Sequence, residues 1–186
     1  MSRWNDALLR NATAPRIGLC LALAAASLAM MAGVLTPAFE QAAGGMRPFD
    51  LNFGLTAEVM YQQLPAYTDR ARLLYLAFAA VDYVYPVAAA GFFALLWAWM
   101  FKRAGSSFAD RVAGSGILAV PFLHTAIDWA ENAGFLFVIF SYPTRYPAIA
   151  AMAGTLKTIK PMVAAFILVL TVLFAASVLW TRQSRR

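Results

Sequence analysis

Residues 112–140 read VAGSGILAVPFLHTAIDWAENAGFLFVIF. The run is long and apolar enough for a membrane-crossing helix, for which about 20 apolar residues suffice, yet it carries His124, Asp128 and Glu131. An ionisable group at the bilayer centre costs about 2.5–3.5 kcal/mol on insertion scales, so such groups are expected to face one another or a wet cavity. At ~100° per helical residue the three fall within about 60° of one another. One face of this helix therefore carries the polar groups, and the remainder is free to meet lipid.

Three further apolar runs, 17–39, 73–101 and 149–180, flank this one. Together they predict a single domain covering 1–186: an all-α, integral membrane four-helix antiparallel bundle. The composition of the 186 residues agrees, with 62% hydrophobic and 13% charged and a mean hydropathy of +0.65, which is too apolar for a soluble domain of this size. Arg3, Arg10 and Arg16 precede the first run as they would a signal peptide. Its apolar core exceeds the ~7–15 residues of a signal h-region, so a retained helix is expected.

Lys and Arg gather in the two ends of the chain and in the 102–111 connection, with Arg47, Arg70, Arg72 and Arg145 on the opposite side. The positive-inside rule then places both termini in the cytoplasm, in a bacterial inner membrane. The formal charge of +6 sits at the ends of apolar segments rather than in a stripe with interleaved aromatics, which argues against nucleic acid as a partner. Cys20 is the single cysteine, which excludes an intramolecular disulfide, a multi-cysteine zinc site and a dithiol relay.

The outer connection, 40–69, has internal structure of its own. Leu55 and Thr56 followed by Met60 have the form of an N-cap with a hydrophobic staple, predicting a short amphipathic helix over 57–64 on the bilayer surface. Pro65 ends it, and Thr68-Asp69 caps the second span. In the first span Ala25, Ala29 and Gly33 form a small-residue ladder suited to close helix packing.

The polar positions converge in depth. At ~1.5 Å per residue, Asp82, Glu131 and Lys157 lie roughly 12–14 Å below the outer ends of their spans, and Asp128 and Lys160 roughly 16–18 Å, with His124 deeper. Tyr75 and Tyr85 share the face of Asp82, while Asn132 and Trp129 flank the acids. Pro86 follows Asp82 by four residues and Pro161 follows Lys157 by four, which deprives two main-chain carbonyls of their helical donor; Pro121 is expected to kink the third span.

These residues suggest a site that holds a membrane lipid or small amphiphile. Lys157, Lys160, His124, Tyr75, Tyr85, Asn132 and Trp129 are its candidate binding residues. Asp128 and Glu131, one turn apart, disfavour double ionisation; a retained proton suits them as donor and acceptor in an isomerisation or cyclisation, with Asp82 as electrostatic partner. A proton-coupled transporter is the alternative, and four helices would then require a homo-oligomer or a partner membrane subunit. The third reading is a charge network that only fixes helix register. His124, Asp128, Glu131 and Asp82 have the spacing of a carboxylate metal site, but two lysines in the same cavity oppose a cation. No metal or cofactor is expected, and no phosphate-cradling glycine loop, serine–histidine triad or CDP-alcohol transferase pattern is present.

Overall fold

The computed structural model describes residues 3–105 and 107–183, and these are mainly helical with no strand among them. In chain order the helices are α1 (Arg3–Asn11), α2 (Ala14–Met30), α3 (Thr36–Ala42), α4 (Ala57–Gln63), α5 (Asp69–Ala104), α6 (Ser107–Gly114), α7 (Val120–Ser141) and α8 (Pro147–Gln183). A π turn, Met31–Leu35, joins α2 to α3 without interruption. Its cause is Pro37 at the start of α3. Proline has no N–H to give to the carbonyl four residues back and its ring crowds that carbonyl, so the coil widens and Thr36 N–H bonds Met31 O instead.

Three helical stretches are long and apolar enough to cross a membrane: Ala14–Ala42, Asp69–Ala104 and Pro147–Thr181. Helix α7 is not short of length, since its 22 residues span ~33 Å at ~1.5 Å each. Its composition sets it apart, because Thr125, Asp128, Glu131 and Asn132 lie on its buried face. The expected third span, 112–140, is not one helix. Helix α6 stops at Gly114, Gly116 adopts φ +88°, and a 3₁₀ turn over Ile117–Ala119 leads into α7. A positive φ favours glycine because it has no Cβ. Pro121 therefore falls in the first turn of α7, where its missing N–H breaks no helical bond, and the kink expected there is absent.

Helix α2 packs along α5, α5 against α7 and α8, and α7 against α8. Small residues set the closest approaches: a Cβ on Gly91 would lie 3.2 Å from Cys20 Sγ, and one on Gly134 would lie 2.9 Å from Ala153 Cβ. The face of α2 that packs carries Ala24, Ser27 and Met31, whereas Ala25, Ala29 and Gly33 are exposed. The expected ladder is thus on the wrong side, because an alanine-rich helix offers several such rows and only contacts choose between them. Across α5 and α8, Trp97 Nε1 donates to Thr171 Oγ1 at 2.8 Å, and Thr171 Oγ1 in turn donates to Ile167 O at 2.8 Å.

Apolar clusters close the two ends of the molecule. At one end Ala12, Phe101, Ala104, Ala109 and Val178 pack together, bringing the first turns of the chain beside the end of α8. Helix α1, which the sequence reading does not anticipate, docks here: Asn5 Nδ2 donates to Ala113 O at 3.1 Å and Lys102 Nζ to Leu9 O at 3.3 Å. Arg185 and Arg186, part of the basic residues expected at this end, lie outside the described residues.

At the other end the 40–69 connection is a packed cap. Thr56 Oγ1 accepts from Val59 N and Thr68 Oγ1 from Ala71 N, the two N-caps expected for α4 and α5. Leu55 and Met60 belong to one buried cluster with Phe39, Tyr67 and Phe135. Helix α4 rests on α8, and Gly154 permits this, since a Cβ there would stand 3.3 Å from Leu55 O.

Candidate functional site

The site begins with an aromatic anchor in that cap. Phe49 is fully buried, with its ring 5.4 Å from Tyr67, 5.9 Å from Tyr75 and 5.6 Å from Phe135. Pro48 precedes it and a 3₁₀ turn, Phe49–Leu51, follows. With Phe49 fixed, the next residue, Asp50, is carried inward between α5, α7 and α8. Its carboxylate meets Lys160 at 2.6 Å, and its main-chain carbonyl accepts from Lys157 Nζ.

Lys160 is the hub. Besides Asp50 Oδ1, its ammonium lies 2.7 Å from Asp128 Oδ1 and 2.8 Å from Glu131 Oε2. Three carboxyl groups thus face one ammonium, with two of their side chains almost wholly buried at 2% and 0% exposure. Buried charges taken from water lose several kcal/mol each, recovered only through close pairing. Asp50 feels opposing influences: burial pushes its carboxyl up, but the charge of Lys160, a hydrogen bond with Glu131 and the charge of Lys157 prevail and hold it below the usual carboxylate range.

The seam between α5 and α7 is fixed by polar contacts. Thr125 Oγ1 donates to Pro86 O at 2.9 Å and Asn132 Nδ2 to Asp82 Oδ2 at 2.9 Å, both buried. Farther out, Trp129 Nε1 donates to Tyr83 O at 3.0 Å. Asp82 therefore keeps an amide partner and no ion pair among the described residues.

A cavity of about 280 Å³ opens beside this network. Asp50, Asp82, Asp128 and Lys160 form its polar lining; Leu28 of α2 and Met31 of the π turn add apolar lining. Leu28, which lines the cavity, is itself 47% exposed. Tyr85 and His124 line it and also line a second cavity of about 180 Å³ that continues past Ala89, Phe93, Ala164 and Leu168. On the other side of Lys160 a third space of about 410 Å³ is lined by Phe53, Gly154, Lys157 and Thr158.

Of the residues expected at the site, Asp82, Asp128, Glu131, Asn132 and Lys160 come together as one buried group, and Tyr85 and His124 border its cavity. Lys157 reaches the group through the Asp50 main chain rather than through a carboxylate. Tyr75 is buried one layer away, in the aromatic cluster with Phe39 and Phe78, and its hydroxyl has no partner among the described residues. Trp129 is 43% exposed and faces away from the cavity. Asp50 was not anticipated. Its signal was an acid set between Phe49 and Leu51, two residues after Pro48, a pattern that looks like an ordinary solvated turn until Phe49 is known to be an anchor. Comparison with protein-family models, with curated proteins and with solved structures gives no match for this chain.

Proposed function

We propose that the chain is a multi-pass protein of the bacterial inner membrane that binds a small amphiphile or lipid in the cleft between α2 and α8. In this reading α5, α7, α8 and the continuous stretch from α2 to α3 form a four-helix antiparallel bundle with both termini cytoplasmic. Support for α7 as the fourth span comes from its inverted polarity: Leu123, Phe137 and Phe140 are exposed while Asp128, Glu131 and Asn132 are buried, the opposite of a helix bathed in water. Arg10, Lys102, Arg103 and Arg111 belong to the end that also holds α1, which supports the orientation.

The observation that carries the binding reading is the polarity of the cleft. One end is walled by Asp50, Asp82, Asp128 and Lys160, and the continuation past Tyr85 and His124 is apolar. Such a gradient suits a molecule with a polar head and a hydrocarbon tail, entering sideways from the bilayer. Asp128 and Glu131 contact the same ammonium, so proton donor and acceptor roles in an isomerisation or cyclisation fit the reading, with Asp82 as electrostatic partner. A second reading, proton-coupled transport with a second copy or a partner subunit, is favoured by the excess of carboxyl groups over ammonium groups.

The test is native mass spectrometry of the protein released from its own membranes in mild detergent, beside Leu28→Trp, which fills the mouth of the cleft. A discrete small-molecule adduct on the wild type that is lost in Leu28→Trp is the expected result. A bare chain in both sinks the binding reading; proton uptake after a pH jump in liposomes would then favour transport.

A further inference from the structure

We infer that the polar end of the cleft takes a protonated amine, a head group that is positively charged and carries N–H donors; this rests on the amphiphile reading above. An ammonium has three protons and no acceptor. The Lys160 ammonium lies within 2.8 Å of three carboxyl oxygens, Asp50 Oδ1, Asp128 Oδ1 and Glu131 Oε2, and donates to Asp50 Oδ1. Its charge is already shared among three carboxyl groups, which leaves little of it for an incoming anion. Lys157 gives its ammonium to the Asp50 carbonyl and lines the space on the far side of Lys160 rather than the cleft.

The acceptors are in the reverse condition. Asp128 lines the cavity and is 2% exposed, and its Oδ2 has no hydrogen-bond partner among the described residues. A buried acceptor without a donor costs about 1–3 kcal/mol, more when charged. Asp82 lines the same wall with only the Asn132 amide against it. The unmet demand of the cleft is thus for donors and for positive charge.

Other head groups meet it less well. A carboxylate or phosphate meets the carboxyl groups of Asp50, Asp82 and Asp128, with His124 and Tyr85 left to donate to it. A hydroxyl supplies a donor but no charge. A quaternary ammonium supplies charge but no donor. A primary amine supplies both, and charge-assisted hydrogen bonds of this kind are roughly twice as strong as neutral ones.

The experiment uses the whole chain in mild detergent at neutral pH with probes of one tail length: dodecylamine, dodecyltrimethylammonium, dodecanol and dodecanoate. Binding is read by the shift of the thermal unfolding midpoint against probe concentration, with Leu28→Trp as the occluded reference. The inference expects dodecylamine to bind about tenfold or more tightly than each of the others, a factor worth about 1.4 kcal/mol. Asp128→Asn is expected to abolish that preference. Dodecanol, dodecanoate or the quaternary amine binding as tightly as dodecylamine in the wild type overturns the inference and leaves the amphiphile reading standing, whether or not Asp128→Asn folds. Midpoints that respond to sodium chloride and not to dodecylamine overturn it in favour of a bare cation. No probe separating wild type from Leu28→Trp brings down the amphiphile reading itself.

Discussion

Lys160 Nζ lies 2.6 Å from Asp50 Oδ1, tying the middle of α8 to a turn 110 residues earlier in the chain. Asp50 is the acid of the network that lies outside the long helices, and its carboxyl is held below the usual range. A depressed pKa contributes stability above the unfolded value of ~3.9 and loses it as pH falls through the folded value. Asp50→Asn is expected to cost about 1.5–3 kcal/mol at neutral pH. The gap between wild-type and variant unfolding midpoints should then close below about pH 4. A gap unchanged between neutral pH and pH 3 would show that the ion pair is not the source.

Removing the hub should be more damaging than removing its neighbour. Lys160→Met leaves Asp50, Asp128 and Glu131 without their common cation, for which about 3–5 kcal/mol is expected. Lys157→Met deletes one bond to a main-chain carbonyl, at about 1 kcal/mol. Denaturant unfolding in detergent measures both, and equal losses would refute the asymmetry.

Gly134 lets α7 and α8 approach closely at Ala153. With an added Cβ 2.9 Å from Ala153 Cβ, Gly134→Ala must push the helices apart, an overpacking that costs about 1–3 kcal/mol. Gly18→Ala, where a Cβ meets nothing within 4 Å, is the matched control and should be neutral or mildly stabilising. If both variants unfold alike, the Gly134 contact does not limit packing.

The seam between α2 and α5 calls for a double-mutant cycle. Gly91→Ala brings a Cβ to 3.2 Å from Cys20 Sγ, and Cys20→Ala removes the sulfur it meets. The pair should recover part of the loss from Gly91→Ala alone, with a coupling of about 0.5–1 kcal/mol or more. Strict additivity of the two unfolding free energies would mean that the helices adjust elsewhere.

Local signals in the sequence that name their own partners were legible. Thr56 and Thr68 cap the helices that follow them because the bond runs three residues along the chain. The convergence of Asp82, Asp128, Glu131 and Lys160 was legible because each lies deep in an apolar run where isolation is costly. What was missed depends on distant contacts or on short segments. Nothing near Asp50 tells that Phe49 is held by Tyr67, Tyr75 and Phe135. Helix α1 is too short for its period to stand out before Asn5 is seen to bond Ala113. Gly114 and Gly116 sit in an apolar run whose hydropathy conceals that the helix ends there. Trp129 flanks the acids in sequence, yet one residue is ~100° of helix, enough to send it to the outer surface.

The π turn bears on angular phase. On an unbroken α-helix Phe39 would stand about 80° away from Met31, off the row of Ala24, Ser27 and Met31. A π turn takes up about one extra residue, which winds the later part of the helix back by roughly 100° and leaves Phe39 about 20° from that row. Phe39 can then reach Tyr67 at 5.1 Å and Tyr75 at 5.7 Å while the earlier turns keep their grip on α5. The stretch from α2 to α3 is therefore two registers spliced by a dislocation that Pro37 induces, and the aromatic box around Phe49 shares Tyr67 and Tyr75 with the far side of that splice.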